Sequence, residues 1–195
     1  MLLYDFRNKG FILVGTAAGI LISAVAGSSA RADGVDQQVA KFASNSGNLV
    51  YLAAGTGLPL VTDGRAGKVH TLRTVDALGT TILLTQGLKA LTREKRPDSN
   101  EHDSFPSGHA SAAFAVATMQ SQFHPGQALW WYAGATLISA SRLTLHRHTF
   151  GDVAAGAALG YGTARLELSL PRGLILAPFI PKSERGLGVN LGARF

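Results

Sequence analysis

Long stretches without charged side chains are the feature that most limits how this chain can fold. Residues 42–62 contain no Asp, Glu, Lys or Arg, and residues 104–141 contain none either. Charged residues make up 15% of the 195-residue chain, whereas soluble domains contain about 25%. Such segments are stable only when most of their surface is buried, either in a protein core or in lipid.

Helices are the structure that these uncharged stretches predict, because strict apolar–polar alternation is absent before the C-terminal tail. We predict an all-α fold, a helical bundle with helices at about residues 42–61, 70–95, 107–123, 127–143 and 150–168. A membrane span needs about 20 apolar residues. The segments approach that length but contain Gly, Ser, Thr and Gln, so a membrane-embedded bundle and a soluble periplasmic bundle both stay open.

The N-terminus has the pattern of an export signal. Arg7 and Lys9 precede an apolar run at residues 11–27, and Ala30-Arg31-Ala32 fits the small-x-small cleavage pattern. We expect residues 1–32 to be a signal peptide that is cleaved at its end, and the alternative is an uncleaved N-terminal membrane anchor. Either outcome places the following residues outside the cytoplasm, in the periplasm or in the inner membrane facing it.

The C-terminal tail differs from the helical domain that we expect over residues 33–170. Apolar side chains alternate with small or polar ones at residues 187–195, and a second apolar run lies at residues 173–180. This period of two predicts a β-hairpin within residues 171–195. One hairpin cannot form a membrane barrel on its own, because its edges would stay unpaired.

The charge of the chain favours an anionic ligand, since the formal net charge is +6. The chain has no cysteine, which excludes disulfides and cysteine–zinc sites. It also lacks a His-Glu-x-x-His run and a Gly-x-x-x-x-Gly-Lys loop, so we expect no metal and no cofactor. Trp130 and Trp131 lie in an uncharged segment rather than among the cations, so we expect no nucleic-acid partner.

Lys89 and Arg96 form the first of three polar clusters. They are seven residues apart and would share one face of a helix, and Pro97 disfavours helix at Arg96 and so marks its end. Two cations near a helix end would attract an anion that carries several charges. The alternative is a solvated basic helix end that interacts with the helix dipole.

The second cluster is the Pro-Ser-Gly-His run at residues 106–109. Ser107 is a good N-cap for the helix that follows, and the backbone N–H groups of Gly108 and His109 would then point out of the helix N-terminus toward an anion. His109 in the first turn is positioned to give a proton to a departing oxygen. A capped helix with an incidental histidine is the alternative.

The third cluster contains Arg142, His148 and Asp152. Arg142 offers a forked donor that suits phosphate. His148 and Asp152 are four residues apart, so at a helix start the carboxylate can hold one ring nitrogen and leave the other free to attack. The alternative is a structural hydrogen bond between the two side chains.

Together the three clusters resemble the signature of the type 2 phosphatidic acid phosphatase and vanadium haloperoxidase superfamily. Its first motif is Lys, six residues, then Arg-Pro; its second is Pro-Ser-Gly-His; and its third is Ser-Arg, five residues, His, three residues, Asp. All of these positions are present in order, over roughly residues 45–168. One departure is the gap of eight residues between Pro97 and Pro106, which is short for the family and leaves little room for a lid.

The resemblance implies a helical bundle of the acid phosphatase and haloperoxidase type with the site at one end, and no metal in its phosphatase members. It also implies a role for each motif residue. His148 attacks phosphorus to form a phosphohistidine, Asp152 orients it, and His109 protonates the leaving group. The phosphoryl oxygens are held by Lys89, Arg96, Ser107, Gly108 and Arg142.

The substrate that the resemblance implies is a lipid phosphate or diphosphate, such as phosphatidic acid, an isoprenyl diphosphate or a lipid A phosphate, with membrane contact. Three alternatives stay open. One is a soluble periplasmic acid phosphatase that acts on small phosphate esters. Another is a vanadate-dependent haloperoxidase, a class that usually has a much larger helical scaffold. The last is a helical envelope protein without enzymatic activity.

Overall fold

The chain forms a helical bundle in the computed structural model, which describes residues 34–176. Short helices come first, and four long ones follow. The helices are α1 (Gly34–Phe42), α2 (Asn48–Gly57), α3 (Pro59–Thr62), α4 (Gly67–Thr92), α5 (Gly108–Phe123), α6 (Ala128–Thr144) and α7 (Phe150–Ser169). No strand occurs in this part of the chain, so the all-α prediction is confirmed there.

Helix α5 lies at the centre and packs against α4, α6 and α7. Its residues from Ala110 to Gln120 are buried, which is expected of a helix that is apolar on all sides. Five of them are alanines, at positions 110, 112, 113, 115 and 117. Because these side chains are small, the surrounding helices approach the α5 backbone closely.

The closest approach is between α5 and α7. A Cβ atom on Gly160 would overlap the Ser111 carbonyl oxygen and would lie 2.9 Å from the backbone nitrogen of Ala115. The clash would be with backbone rather than with a movable side chain, so glycine is required at this point. The contact fixes the distance between two helices that both begin at the candidate site.

A buried ion pair joins α4 to α7 on another side of the bundle. The Arg73 guanidinium donates to Glu167 Oε1 at 3.0 Å and to the Leu170 carbonyl at 2.8 Å. Nearby, the Asp76 carboxylate accepts backbone N–H groups from residues 174–176 at 2.8–3.1 Å. These contacts attach the end of α7 and the segment after it to the middle of α4.

The helix boundaries differ from the prediction mainly in the first half of the chain. Helix α1 was not predicted, and α4 begins at Gly67, three residues before the predicted start. The first predicted helix, residues 42–61, is interrupted by a π-helical segment at Ala43–Gly47 and ends in the separate short helix α3. The second, predicted to run to residue 95, ends at Thr92 because Arg93 adopts a left-handed conformation with φ 49°. That conformation stops helical hydrogen bonding three residues earlier than the Arg-Pro signal indicated.

Both predicted end segments lie largely or wholly outside the described residues. The expected signal peptide, residues 1–32, is among the residues that are not described. Of the expected hairpin, only residues 171–176 are described, and they form turns without a strand. Within residues 34–176, none of the helices has both the length and the apolar character needed to cross a bilayer.

We expect Gly160→Ala to lower the free energy of unfolding by about 1–3 kcal/mol, because the added methyl group overpacks the contact between α5 and α7. Gly162→Ala is the matched control. Gly162 is exposed on the same helix, and a Cβ there meets nothing within 4 Å. The control should therefore gain up to about 1 kcal/mol from helix propensity. Thermal unfolding followed by circular dichroism measures both, and equal effects of the two substitutions would contradict the close-contact argument.

Candidate active site

All three sequence clusters lie at the same end of the bundle. Lys89 is in the last turn of α4, and Arg96 is in the loop that leads to α5. Ser107, Gly108 and His109 are at the start of α5. Arg142 is near the end of α6, His148 precedes α7, and Asp152 is in its first turn. The structure therefore brings together residues that are up to 63 positions apart in the sequence.

Asp152 is held by hydrogen bonds on several sides. Its Oδ2 accepts from the Thr149 backbone N–H at 2.8 Å and from Ser104 Oγ at 2.6 Å. Thr149 Oγ1 accepts in return from the Asp152 backbone N–H at 3.2 Å, which completes a capping box at the start of α7. The carboxylate is buried, so these donors fix its orientation.

His148 lies against this carboxylate. Its Nδ1 is 3.5 Å from Asp152 Oδ2 and 3.5 Å from Ser104 Oγ. His148 precedes the N-cap Thr149, so the pair lies at the start of α7, as predicted. The hydrogen bond of Nδ1 is with Ser104 Oγ, which in turn donates to Asp152 Oδ2, so Nε2 is the ring nitrogen that is left for chemistry.

The charge state of His148 is set by burial and by neighbouring cations. Burial, followed by the charges of Arg142 and Lys89, lowers the pKa of His148 to about 4, although Asp152 acts in the opposite direction. The imidazole is therefore neutral near pH 7. A neutral ring has a free lone pair, which is the form in which histidine is a nucleophile.

His109 and Arg142 share a neighbour at the π-helical segment, Ser44. An Arg142 guanidinium nitrogen donates to Ser44 Oγ, and the His109 ring forms a hydrogen bond with the Ser44 backbone. Burial and then Arg142 lower the pKa of His109 to about 4. Burial also lowers the pKa of Arg142, to about 10, which leaves it charged at neutral pH.

Lys89 and Arg96 converge on Asp103, which differs from the predicted arrangement on one helix face. Arg96 lies beyond the end of α4, and its Nη2 donates to Asp103 Oδ2 at 2.9 Å. Lys89 Nζ donates to the Asp103 carbonyl and lies 4.0 Å from its carboxylate. Although burial acts the other way, Arg96 and Lys89 lower the pKa of Asp103, so this carboxylate stays ionised between the two cations.

Ser107 occupies the N-cap position of α5, but its side chain does not cap the helix. Its Oγ is buried and has no hydrogen-bond partner among the described residues. The Ser107 backbone N–H donates to the Asp152 carbonyl at 2.9 Å, which joins the start of α5 to the start of α7. The prediction that the Ser107 side chain caps α5 is therefore wrong. Its hydroxyl lies next to Gly108 at the helix N-terminus without a hydrogen-bond partner in the described part of the chain.

Ser44, Ser104 and Asp103 are site residues that the sequence motifs did not identify. Ser44 is 98 residues from its partner Arg142, and Ser104 is 48 residues from Asp152. No local spacing connects such pairs. Asp103 lies in the loop before α5 and belongs to none of the three sequence clusters.

A cleft of about 610 Å³ opens beside this cluster. It is lined by Gln86, Lys89, Ala90, Arg93, His102 and Asp103. Lys89 and Asp103 belong to both the cleft and the cationic cluster, whereas the two catalytic candidates His109 and His148 do not line it. The cleft therefore reaches the side of the cluster that carries Lys89.

Comparisons with known proteins identify a family and a similar fold. Residues 71–174 match the family model described as the PAP2 superfamily. Over 103 residues the chain is 32% identical to the lipid A 1-phosphatase of Porphyromonas gingivalis, which covers 50% of this chain and 23% of that protein. The chain thus matches about a quarter of the length of that relative.

The fold is similar to the crystal structure of a transmembrane PAP2-type phosphatidylglycerolphosphate phosphatase from Bacillus subtilis. The TM-score is 0.52 at 22% sequence identity, over 79% of this chain and 84% of that chain. At this identity the likeness concerns the fold alone. The PAP2 family model covers more than half of the length of this chain, and the chain therefore belongs to the PAP2 superfamily.

Proposed function

We propose that the chain is a metal-independent phosphatase that hydrolyses phosphate monoesters or diphosphates of lipids through a phosphohistidine intermediate. The observation that carries this proposal is the position of His148. Its ring is neutral, is directed by a buried carboxylate, and lies within the field of Lys89, Arg96 and Arg142. A nucleophile among fixed cations is what phosphoryl transfer requires, because its catalysis consists mostly of positioning and charge stabilisation.

In the first step, His148 Nε2 attacks phosphorus, and a P–N bond forms as the bond from phosphorus to the leaving oxygen breaks. His109 transfers its proton to that oxygen, which leaves as an alcohol or as a phosphate. In the second step, water attacks the phosphohistidine, and neutral His109 accepts a proton from it. Inorganic phosphate is released and both histidines return to their starting state.

The same cations that lower the histidine pKa values would hold the phosphoryl group. A bound phosphoryl group places negative charge next to His109, which raises its pKa and favours the protonated, donating form. Arg142 Nε and Ser107 Oγ are both buried without a hydrogen-bond partner in the described part of the chain. Together with the Gly108 backbone N–H, they are donors of the kind that phosphoryl oxygens need.

Lipid substrates are favoured by the surface of the bundle. Large apolar side chains are exposed on several helices, among them Leu83 and Leu91 of α4, Val61 of α3 and Trp130 of α6, which are 63–82% exposed. Membrane and partner contacts are formed by contiguous apolar patches, and these side chains are the candidates for such a patch. The relative from Porphyromonas gingivalis is named for action on lipid A, a phosphorylated lipid.

The proposed location follows from the N-terminal export pattern. We propose that the site faces the periplasm, either in a bundle embedded in the inner membrane or in one that contacts the membrane from outside. Carbonate extraction of membranes, combined with protease accessibility in spheroplasts, tests this. Protection from external protease in intact spheroplasts would contradict it.

The two catalytic histidines should differ in their response to the leaving group. We expect His148→Ala to lower kcat by at least about 10³-fold on every substrate, because the nucleophile is lost. His109→Ala should lower kcat by about 10²–10⁴-fold on alkyl phosphates. The decrease in kcat of His109→Ala should be much smaller with p-nitrophenyl phosphate as substrate, because nitrophenolate leaves without a proton. Phosphate release from both substrates measures the difference.

His146→Asn is the matched control for these variants. His146 is two residues from His148 but is exposed, and it has a left-handed backbone conformation that Asn tolerates. We expect this variant to retain nearly full activity. If His148→Ala kept the activity of the control, the proposed nucleophile would be wrong.

The pH dependence of kcat/KM should show how the cations around the two histidines lower their pKa values. Both His109 and His148 have a pKa of about 4, and kcat/KM follows ionisation of the free enzyme. We expect kcat/KM to be highest in the acidic range and to fall toward neutral pH as His109 loses the proton that it donates.

Arg142→Gln should shift this profile to higher pH while lowering the maximum, because Arg142 is the largest cationic cause of both lowered pKa values. Wild type and variant are compared on the same substrate, so the ionisation of the substrate cancels. An unshifted profile would show that Arg142 does not set these pKa values.

A further inference from the structure

A second cluster of titratable side chains lies at the end of the bundle opposite the candidate active site. Asp63 follows α3, His70 is in the first turn of α4, and His124 follows α5. Asp63 Oδ2 is 2.5 Å from His70 Nδ1, and Asp63 Oδ1 is 3.0 Å from His124 Nε2. Along α4, His70 and Lys89 are separated by about 28 Å, at 1.5 Å per residue.

The hydrogen bonds around His124 determine which ring nitrogen carries a proton. Gln120 is buried, and its Nε2 donates to the Gly55 carbonyl at 2.6 Å, so its Oε1 is the atom that faces His124 Nδ1 at 3.1 Å. A carbonyl oxygen only accepts, so Nδ1 must carry the proton. In a neutral ring, Nε2 then presents a lone pair.

That lone pair faces a carboxylate. The Nε2 atom of neutral His124 would lie 3.0 Å from Asp63 Oδ1 with no proton between them. Asp63 Oδ1 already accepts a hydrogen bond from Thr62 Oγ1 at 2.6 Å, so it is an acceptor that faces a second acceptor. Two electron-rich atoms at this distance need a positive charge between them.

We propose that Asp63, His70 and His124 bind a divalent transition-metal ion of the Zn²⁺ class. Two imidazole nitrogens and one carboxylate oxygen form a ligand set that Zn²⁺ accepts, with water in the fourth position. Imidazole ligands disfavour Mg²⁺ and Ca²⁺, which prefer oxygen. The ligand atoms lie within 4.8 Å of one another. Tetrahedral ligand atoms about 2.1 Å from Zn²⁺ are about 3.4 Å apart, so binding would require side-chain rotations that separate Asp63 Oδ2 from His70 Nδ1 and shorten the widest separation.

The surroundings of the three ligands resemble those of a metal site. Gln120 fixes the tautomer of His124, and Thr62 Oγ1 donates to Asp63 Oδ1 at 2.6 Å. The His70 ring stacks on Phe123 with centroids 4.0 Å apart and planes at 9°, which holds its orientation. Outer contacts of this kind orient metal ligands and strengthen binding. The three side chains are 6–24% exposed, which leaves access for an ion.

A metal here would have a structural role. It would join the α3–α4 turn to the end of α5, and so connect the two helices that carry Lys89 and His109 at their other ends. Because the ion is remote from the reacting phosphorus, the proposed hydrolysis stays metal-independent. The inference concerns binding and stability and does not depend on the proposed activity.

The test uses the full chain without a polyhistidine tag, stripped with a chelator. Titration calorimetry with ZnCl₂ should give one ion per chain. At free Zn²⁺ about 100 times Kd, the Tm should rise by about 5–10 °C. Co²⁺ should bind at the same stoichiometry and produce visible absorption bands of a four-coordinate site, which Zn²⁺ then abolishes.

The variants His70→Gln and His124→Gln should each weaken binding by at least about 10²-fold, and both are compared with His146→Asn, which should bind normally. Circular dichroism without metal establishes that each variant is folded. If one of the two glutamine variants does not fold, Zn²⁺ binding by the other still tests the proposal. The proposal is overturned if wild type binds no Zn²⁺ below millimolar concentration, or if folded glutamine variants bind as wild type does. A Tm that changes with pH but not with Zn²⁺ would also overturn it, because the positive charge between His124 and Asp63 would then be a proton.

Discussion

The arrangement of the candidate active site depends on the hydrogen bonds that converge on Asp152. Its carboxylate receives the Ser104 hydroxyl and the Thr149 backbone, and its own backbone carbonyl receives the Ser107 N–H. One residue thus joins the loop that leads into α5 to the segment that carries His148 and begins α7. The donors come from two separate parts of the chain, so a movement of Asp152 would disturb both. The direction of the histidine ring is a consequence of that network.

Electrostatics gives the same site its chemical character. Three buried or half-buried cations surround two imidazoles, and burial together with the charges of these cations keeps both rings neutral in the free protein. Asp103 offsets part of this positive charge by pairing with Arg96 and by lying next to Lys89. A multiply charged phosphoryl group would supply the rest of the compensation. The proposed selectivity for phosphate thus arises from an imbalance of buried charge rather than from one specific contact.

The sequence predicted that the motif residues would lie together, but not how they contact one another. The motif positions are all at one end of the bundle, as expected, and each end of the four long helices was predicted to within three residues. Arg93 adopts a left-handed conformation, which removes Arg96 from the helix face of Lys89. The Ser107 cap was wrong because a tertiary contact to Asp152 fixes the start of α5 instead. Partners such as Ser44, which contacts Arg142 across 98 positions, are set by packing and leave no local pattern.

The carboxylate of Asp76 illustrates how one buried charge can order a segment that has no regular structure. It accepts hydrogen bonds from the N–H groups of three successive residues, 174–176, without any helix or strand to order them. Asp76 is about 20 Å along α4 from Lys89, at 1.5 Å per residue. Residues 174–176 therefore lie beside the half of the bundle that is remote from the candidate active site. A spectroscopic label placed on one of them would report on that half of the bundle without contact to the candidate phosphate-binding residues.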